Sequence, residues 1–219
     1  MREGETKRDV VLFDLDGTLL DSLEDMKDSV NHVMGELGFP VRTLDEIRSF
    51  VGNGIRKLIE RSVPQGTDSE TCERALAAYR SYYGQHCMEK TRPYPGIPEL
   101  LETLKRQGVR MAIVSNKNED AVRAMHARYF PDTIEIAVGQ SDAVPKKPDP
   151  AMVYAALRQL GVSAERAVYV GDSEVDIETA KNAGIDCITC VWGFRTKEFL
   201  LENGARILAE RAEEIPQLL

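Results

Sequence analysis

The chain has 219 residues, of which 42% are hydrophobic and 29% are charged. This composition is ordinary for a soluble globular protein, and it excludes a fibrous or largely disordered chain. The formal net charge of -8 argues against a general nucleic-acid-binding protein, because such a protein presents a basic face to the phosphate backbone. The length is large for one compact domain and small for two, so we expect a core domain with an inserted piece.

The N-terminal stretch MREGETKRDVVLFDLDG has no long apolar run and no site typical of signal-peptide cleavage. We therefore expect a cytoplasmic protein that has no membrane partner. Its four cysteines then fit reduced thiols better than disulfides. Cys187 and Cys190 lie three residues apart in a strand-like segment, so they should point to opposite faces. We interpret this pair as buried thiols and not as a zinc or redox site.

Strand-like segments alternate with amphipathic helical stretches along most of the chain, which predicts an α/β fold: a doubly wound parallel sheet with helices on both faces. The strand-like segments are 9–15, 109–115, 134–138, 167–172 and 186–191. Three of their apolar runs end at Asp14, Ser115 and Asp172. In open parallel sheets, ligands bind at the carboxyl ends of the strands, so these three residues are expected to converge there.

The interval between the first and second predicted strands is too long for the alternation of strands and helices. A strand–helix–strand unit takes about 30 residues, but Asp14 and Ser115 lie far further apart than that. Residues 21–92 read as helical throughout, which predicts a small helical cap domain inserted into a core formed by residues 1–20 and 93–219. The turn after Gly17 and the segment PYPGIP at 93–98 suit its two edges. Residues 210–219 are predicted to form a terminal helix.

The motif with the most chemistry is FDLDGTLLDS at 13–22, where an apolar strand delivers two aspartates and then a glycine turn. The period of two along a strand places Asp14 and Asp16 on one side of the chain. One carboxylate could then attack phosphorus while the other protonates the leaving oxygen and later deprotonates water. Paired aspartates are common in surface loops, so the interpretation depends on three further elements that follow in order.

The second element is Ser115 with Asn116, which we expect to lie where a strand turns into a helix and to form a phosphate cradle. The third is Lys147 before Pro148, a lysine whose extended backbone suits holding a charge against a phosphoryl group. The alternatives without a function are an ordinary helix cap for Ser115 and Asn116, and a solvated side chain for Lys147.

The fourth element is Asp172, with Asp176 one helical turn further on. Magnesium prefers oxygen ligands, so two carboxylates, one carbonyl and a phosphate oxygen would form a reasonable set. A divalent cation and a lysine would also offset the repulsion between several carboxylates and a phosphate dianion.

In this order, the four elements resemble the four motifs of the haloacid dehalogenase superfamily. The resemblance implies that Asp14 is the nucleophile and a magnesium ligand. It implies that Asp16 is the general acid and base, and a ligand through its carbonyl. Ser115 and Asn116 would bind phosphate, Lys147 would be the motif lysine, and Thr18 would support the first loop. Asp172 would be the third Mg²⁺ ligand and Asp176 a partner behind the ligands.

Residues 49–63, within the helical insertion, resemble the cap signature of bacterial phosphoglycolate phosphatases. In the core, VWGF at 191–194 resembles the loop after the fourth motif of these enzymes. Gly52, Asn53 and Gly54 allow a tight backbone turn that could close over a small substrate, and Arg56 could meet the carboxylate of that substrate. A plain helix–helix linker and a solvated arginine remain the alternatives.

These expectations combine into a magnesium-dependent phosphomonoester hydrolase that acts through a phospho-aspartate. The expected substrate is a small phosphorylated metabolite such as 2-phosphoglycolate, and the protein is expected to be a monomer or homodimer. Two alternatives stay open at this point. A phosphosugar mutase of the same superfamily would use the same aspartates, and a non-catalytic relative would only bind a phosphorylated ligand.

Overall fold

The computed structural model describes residues 8–141 and 144–219. Residues 1–7, where the sequence predicts no targeting signal, lie outside that part of the chain. The chain divides into two compact units. The first unit holds the chain up to Leu19 and again Pro93–Leu219, and the second holds Leu20–Arg92. We describe each unit separately.

A parallel sheet forms the centre of the first unit. The strands, numbered in chain order, are Val10–Phe13 (β1), Leu20–Asp21 (β2), Arg92–Pro93 (β3), Arg110–Asn118 (β4), Ile136–Gln140 (β5), Ala167–Gly171 (β6), Asp186–Cys190 (β7) and Ile207–Ala209 (β8). Six of them form the sheet in the order β5-β4-β1-β6-β7-β8, and every neighbouring pair is parallel. Strands β2 and β3 form a separate two-stranded sheet.

Ten α-helices accompany these strands in the described residues. They are Leu23–Glu36 (α1), Leu44–Phe50 (α2), Ile55–Ser62 (α3), Ser69–His86 (α4), Ile97–Arg106 (α5), Glu119–Tyr129 (α6), Ala151–Leu160 (α7), Glu174–Ala183 (α8), Lys197–Glu202 (α9) and Ile215–Leu218 (α10). The first four belong to the second unit and the other six to the first unit. The predicted class, a parallel sheet flanked by helices, is confirmed.

Both faces of the central strands are buried. Val10 and Leu12 of β1 pack in a cluster that includes buried residues of α7 and α8. Val11 and Phe13, which point to the opposite face, have no exposed surface either. A strand that is covered on both faces must be apolar at every position. This requirement explains why β1 reads as a continuous apolar run that ends abruptly at Asp14.

The structure corrects several sequence expectations for the first unit. The strand expected at 134–138 is Ile136–Gln140, and the short strand Ile207–Ala209 was not predicted. The predicted terminal helix at 210–219 is a 3-10 turn followed by the four-residue helix α10. Cys187 and Cys190 are free thiols, and Cys190 is buried as expected, whereas Cys187 is only partly buried. Burial raises the pKa of Cys187 to about 12, so its thiol stays protonated at neutral pH.

The second unit consists of the helices α1 to α4 and their connections. Asp25 of α1 is buried, and its carboxylate accepts hydrogen bonds from the backbone N–H groups of Lys90 and Thr91 at 2.8–3.0 Å. The Thr91 hydroxyl donates to the same carboxylate at 2.7 Å. These bonds fasten the end of the unit to its first helix. Among the described residues, no helix has the length and apolarity that a membrane span requires.

Candidate active site

Three strand ends meet at the carboxyl edge of the sheet. Phe13 is in register with Ile113 on one side and with Val170 on the other. The backbone N–H of Asp14 still donates to Val170, at 2.9 Å. The register therefore places Asp14 between β4, which carries Ser115, and the end of β6, which Asp172 follows directly. The expected convergence of these strand ends follows from the pairing alone.

Lys147 lies at the centre of the site with 3% of its side chain exposed. Its ammonium group donates to Asp14 Oδ1 at 2.8 Å, to Asp176 Oδ1 at 2.7 Å and to the Tyr169 hydroxyl at 3.0 Å. An ammonium group has three hydrogens, so these three acceptors satisfy it completely. The Tyr169 hydroxyl in turn donates to the Val114 carbonyl at 2.8 Å. The lysine is fixed by its partners, whereas the sequence alone left open a solvated side chain.

The charges in this cluster do not balance. Burial raises the pKa of Asp14 from 3.8 to about 7, although the nearby Lys147 ammonium partly offsets the effect. Burial, together with the charges of Asp176 and Asp14, raises the pKa of Asp172 well above its usual range. The two aspartates Asp14 and Asp176 hold the pKa of Lys147 well above its usual range despite burial. Only Asp14 and Asp176 contact this lysine, so ionising all three carboxylates would leave an excess of negative charge. The raised pKa values of Asp14 and Asp172 reflect that repulsion and the cost of burial.

The three carboxylates have the donor chemistry of a site for a hard divalent cation. Asp14, Asp172 and Asp176 are buried, and each offers a carboxylate oxygen within 4.8 Å of the others. Oxygen ligands at this spacing suit magnesium, which is commonly held by a few carboxylates and water. A cation would also compensate the excess negative charge. The residues therefore fit a divalent metal ion.

Asp176 has a second task in addition to its contact with Lys147. It is fully buried, and its Oδ2 accepts from the Ser173 backbone N–H at 3.1 Å and from the Ser173 hydroxyl at 2.6 Å. The Ser173 hydroxyl accepts from the Asp176 backbone N–H, which completes a capping box at the start of α8. Both oxygens of Asp176 are thus engaged by the protein. The role of Asp176 towards a metal ion stays a prediction.

The carboxylate of Asp16 contacts a lysine that the sequence analysis did not single out. Lys117 Nζ lies 2.9 Å from Asp16 Oδ1 and 3.0 Å from Oδ2. Only 5% of the lysine side chain is exposed. The two aspartates of the first motif therefore each have their own lysine. Since Asp16 and Lys117 are far apart along the chain, no local pattern could have indicated this pair.

Ser115 and Asn116 do not lie at a helix start, as the sequence led us to expect. Strand β4 continues to Asn118, and the side chain of Asn118 caps α6. The Ser115 hydroxyl accepts from the Lys117 backbone N–H at 3.2 Å. The Asn116 amide donates to the Lys147 carbonyl at 3.1 Å and accepts from the Lys147 N–H at 2.7 Å. Asn116 thus holds the backbone of the site lysine.

Thr18 belongs to the support of the acidic cluster. Its side chain is buried, and its hydroxyl donates to Asp172 Oδ1 at 3.1 Å. Glycine at position 17 is required twice over. Its φ of +92° disfavours other residues, and a Cβ atom there would come within 2.4 Å of Asp172 Oδ2. The turn after the two aspartates therefore packs its backbone directly against Asp172.

In the second unit, Gly52, Asn53 and Gly54 form the turn between α2 and α3. Both glycines have positive φ angles, 110° and 87°. Arg61 donates to Asn53 Oδ1 at 2.9 Å and so holds the turn. Arg56 is half-exposed and pairs with Glu73. This pairing occupies the guanidinium in the described structure, and the role of Arg56 towards a substrate stays a prediction.

Comparisons with known proteins agree with this geometry. The family model of haloacid dehalogenase-like hydrolases matches residues 11–190. A phosphoglycolate phosphatase of Pseudomonas savastanoi pv. phaseolicola is 35% identical, over 96% of this chain and 79% of its own length. One of Aquifex aeolicus is also 35% identical, over 84% of this chain and 85% of its own.

Solved structures show the same similarity in three dimensions. The crystal structure of a putative phosphoglycolate phosphatase from Lactobacillus delbrueckii subsp. bulgaricus superimposes with a TM-score of 0.93 and 31% identity. The match covers 97% of this chain and 98% of that chain. The fold, the acidic cluster and these relatives together define a phosphatase. The chain belongs to the haloacid dehalogenase-like hydrolases.

The buried cluster predicts how the stability of the metal-free protein responds to Lys147→Met. The substitution leaves Asp14 and Asp176 without their shared cation, and breaking such a pair costs about 3 to 5 kcal/mol. Burial raises the pKa of Asp14 from 3.8 to about 7 while Lys147 is present, so Asp14 is a charged partner of Lys147 at pH 8 and is largely neutral at pH 5, where less attraction is lost with the lysine. The loss should therefore be larger at pH 8 than at pH 5.

Urea denaturation with chelator at both pH values measures this loss. Lys197→Met serves as the matched control, because Lys197 forms an exposed ion pair with Glu210 and its loss should barely change the free energy of unfolding. Equal losses for the two variants at pH 8 would show that the Lys147 contacts do not stabilise the fold.

Proposed function

We propose that this phosphatase is magnesium-dependent and hydrolyses a small phosphorylated carboxylic acid, with 2-phosphoglycolate as the first candidate. The observation that supports the chemistry is the cluster of Asp14, Asp172 and Asp176 around Lys147. The support for the substrate comes from the relatives, several of which are phosphoglycolate phosphatases. We further propose that residues 21–92 act as a cap domain for this reaction.

In the proposed reaction, a carboxylate oxygen of Asp14 attacks phosphorus, and the bond between phosphorus and the leaving oxygen breaks. The product of this step is a phospho-aspartate and the free alcohol. Water then attacks the same phosphorus and releases the Asp14 carboxylate with inorganic phosphate. Lys147, 2.8 Å from Asp14 Oδ1, holds the nucleophile in place and stabilises negative charge that develops on the transferred group.

Asp16 is the proposed general acid and base. It gives its proton to the leaving oxygen in the first step and takes one from water in the second. Lys117 holds the Asp16 carboxylate in a defined position through both of its oxygens. Ser115 remains a candidate phosphate-binding residue, and Asn116 positions Lys147 through its backbone.

Asp14, Asp172 and the backbone carbonyl of Asp16 are the proposed Mg²⁺ ligands, with Asp176 behind them. When bound, the ion supplies the positive charge that lets these carboxylates and a phosphate dianion share one site. Thr18 orients Asp172 for this task through its hydroxyl group.

Replacing the proposed nucleophile tests the mechanism. Asp14→Asn keeps the side-chain shape but cannot attack phosphorus, so we expect kcat to fall by at least about 10³-fold. The exposed Asp132→Asn is the matched control and should have the activity of the wild type.

In Asp16→Ala, hydrolysis of the intermediate should slow by about 10²- to 10⁴-fold. Mass spectrometry of this variant should then find phosphate on Asp14, and phosphate on serine or histidine would contradict the mechanism.

The Lys117–Asp16 pair gives a second kinetic test. Lys117→Met removes the group that holds the acid–base carboxylate, so kcat should fall by about 10- to 100-fold, with a smaller change in KM. Lys117→Arg keeps a cation beside Asp16 and should recover part of the activity. Lys181→Met removes an exposed cation and serves as the control. If Lys117→Met raised KM alone, Lys117 would bind substrate and would not act through Asp16.

Metal dependence follows from the donor set. A chelator should abolish activity, and Mg²⁺ should restore it. Calcium should inhibit, because its larger radius and higher coordination number favour bidentate binding of a carboxylate, which would take the attacking oxygen of Asp14 out of line. Steady-state rates across a series of metal ions measure this. Equal rates with calcium and magnesium would argue against direct contact between the ion and the nucleophile.

The substrate assignment is tested by kcat/KM for 2-phosphoglycolate, pyrophosphate, glucose phosphates and nucleoside monophosphates. A small acid should be preferred, because closure of the proposed cap domain would exclude larger esters. Arg56→Ala should raise KM for phosphoglycolate only if Arg56 leaves Glu73 to bind the substrate, and Arg48→Ala is its exposed control. A tenfold preference for a hexose phosphate or a nucleotide, or about 1.4 kcal/mol, would refute phosphoglycolate and leave the phosphatase activity standing.

A further inference from the structure

The segment Trp192–Phe194, which follows β7, lies directly against Asp172. The Phe194 backbone N–H donates to Asp172 Oδ2 at 2.7 Å. On the other side, the Thr18 hydroxyl donates to Oδ1 at 3.1 Å. Each carboxylate oxygen therefore has one donor of its own, and the side chain is almost fully buried. The direction in which this carboxylate faces is set from two sides.

Trp192 connects these two sides. Its indole N–H donates to the Thr18 backbone carbonyl at 3.0 Å. The segment therefore supplies one donor to Asp172 and also fixes the residue that supplies the other donor. Thr18, Asp172 and the segment form a closed hydrogen-bonded circuit that joins the first motif to the end of β6.

Gly193 lies in the middle of this circuit, where the backbone approaches Asp172 most closely. A Cβ atom at position 193 would come within 2.3 Å of both Cβ and Oδ2 of Asp172, far inside van der Waals contact. Gly193 is not among the glycines with positive φ, so its backbone conformation suits any residue. Glycine is therefore required at position 193 by the short distance to Asp172. Gly17 differs, because its positive φ also favours glycine.

We propose that Trp192–Phe194 is a positioning element of the metal site, in which Gly193 lets the backbone fix Asp172 in its metal-binding orientation. This inference rests on the proposed magnesium site. A side chain at position 193 would clash with Asp172 and displace its carboxylate. Partners behind a metal ligand, when altered, commonly weaken metal affinity by about 10- to 100-fold. The Asp172 carboxylate would then still be present but would no longer be oriented to bind the metal ion.

The test is direct calorimetric titration of the metal-free protein with Mg²⁺, which needs no substrate. Gly193→Ala should raise the Mg²⁺ dissociation constant by about 10- to 100-fold. The matched control is Gly84→Ala in α4, since Gly84 has no heavy atom within 4 Å of its Cβ position and no positive φ. Its dissociation constant should stay within about twofold of the wild-type value.

Trp192→Phe is the second variant, and it keeps an aromatic ring while removing the donor to Thr18. It should also weaken Mg²⁺ binding, at the lower end of the same range, and it is informative even if Gly193→Ala does not fold. Wild-type affinity in a folded Gly193→Ala protein, or in Trp192→Phe if Gly193→Ala does not fold, would overturn the proposal. A wild-type protein that does not bind Mg²⁺ would refute the magnesium site itself, and the positioning role with it.

Thermal unfolding of the metal-free variants shows whether the effect passes through Asp172. Gly193→Ala should lower Tm by a few degrees, and the same substitution in an Asp172→Gly protein should lower it much less, because glycine lacks the Cβ, Cγ and Oδ2 atoms that the new methyl group would meet. An equal decrease in both backgrounds would show a general distortion of the segment and would overturn the role assigned to Gly193.

Discussion

The structure of the site depends on one buried ion-pair network, in which a single lysine neutralises only part of a cluster of carboxylates. Lys147 contacts Asp14 and Asp176, while Asp172 lies close to both. Uncompensated charge in a protein interior is expensive. Such a cluster persists when the rest of the fold holds it in place and when a cation can join it.

The parallel sheet provides that support. Because β1, β4 and β6 are paired in register, Asp14 and Asp172, which follow β1 and β6, lie beside the part of β4 that carries Ser115, without any specific loop. The apolar strands before these residues have both faces buried, so the position of each strand end is fixed by packing. The cost of holding like charges together is therefore offset by the burial of hydrophobic side chains.

Much of this arrangement was predictable from local sequence. Alternating apolar runs and helical stretches predicted the sheet, and the order of the four motifs brought Asp14, Lys147 and Asp172 into one hypothesis. The short strand Ile207–Ala209 gave no signal, because three residues are too few for a period to appear. Asn118, and not Ser115, is the residue that caps α6. A run of polar residues after a strand does not show where the strand ends.

The contact between Lys117 and Asp16 was not predictable for a different reason. It joins residues about a hundred positions apart, and a lone lysine after a strand is normally solvated. The function of Asn116 was equally hidden, since an asparagine in a loop can bind a ligand, cap a helix or pair with a backbone. The structure shows the pairing with the backbone of Lys147, and binding of phosphate by Asn116 stays a prediction.

The double hydrogen bond between Asn116 and the backbone of Lys147 has a mechanical consequence. Strand β4 carries Lys117 directly, and through Asn116 it is also fastened to the loop that carries Lys147. Both counter-charges of the two aspartates in the first motif are thus attached to the same strand end. A shift of that strand end would move the two lysines together and change both ion pairs at once, so the two aspartates are linked through a neighbouring strand as well as through their own chain.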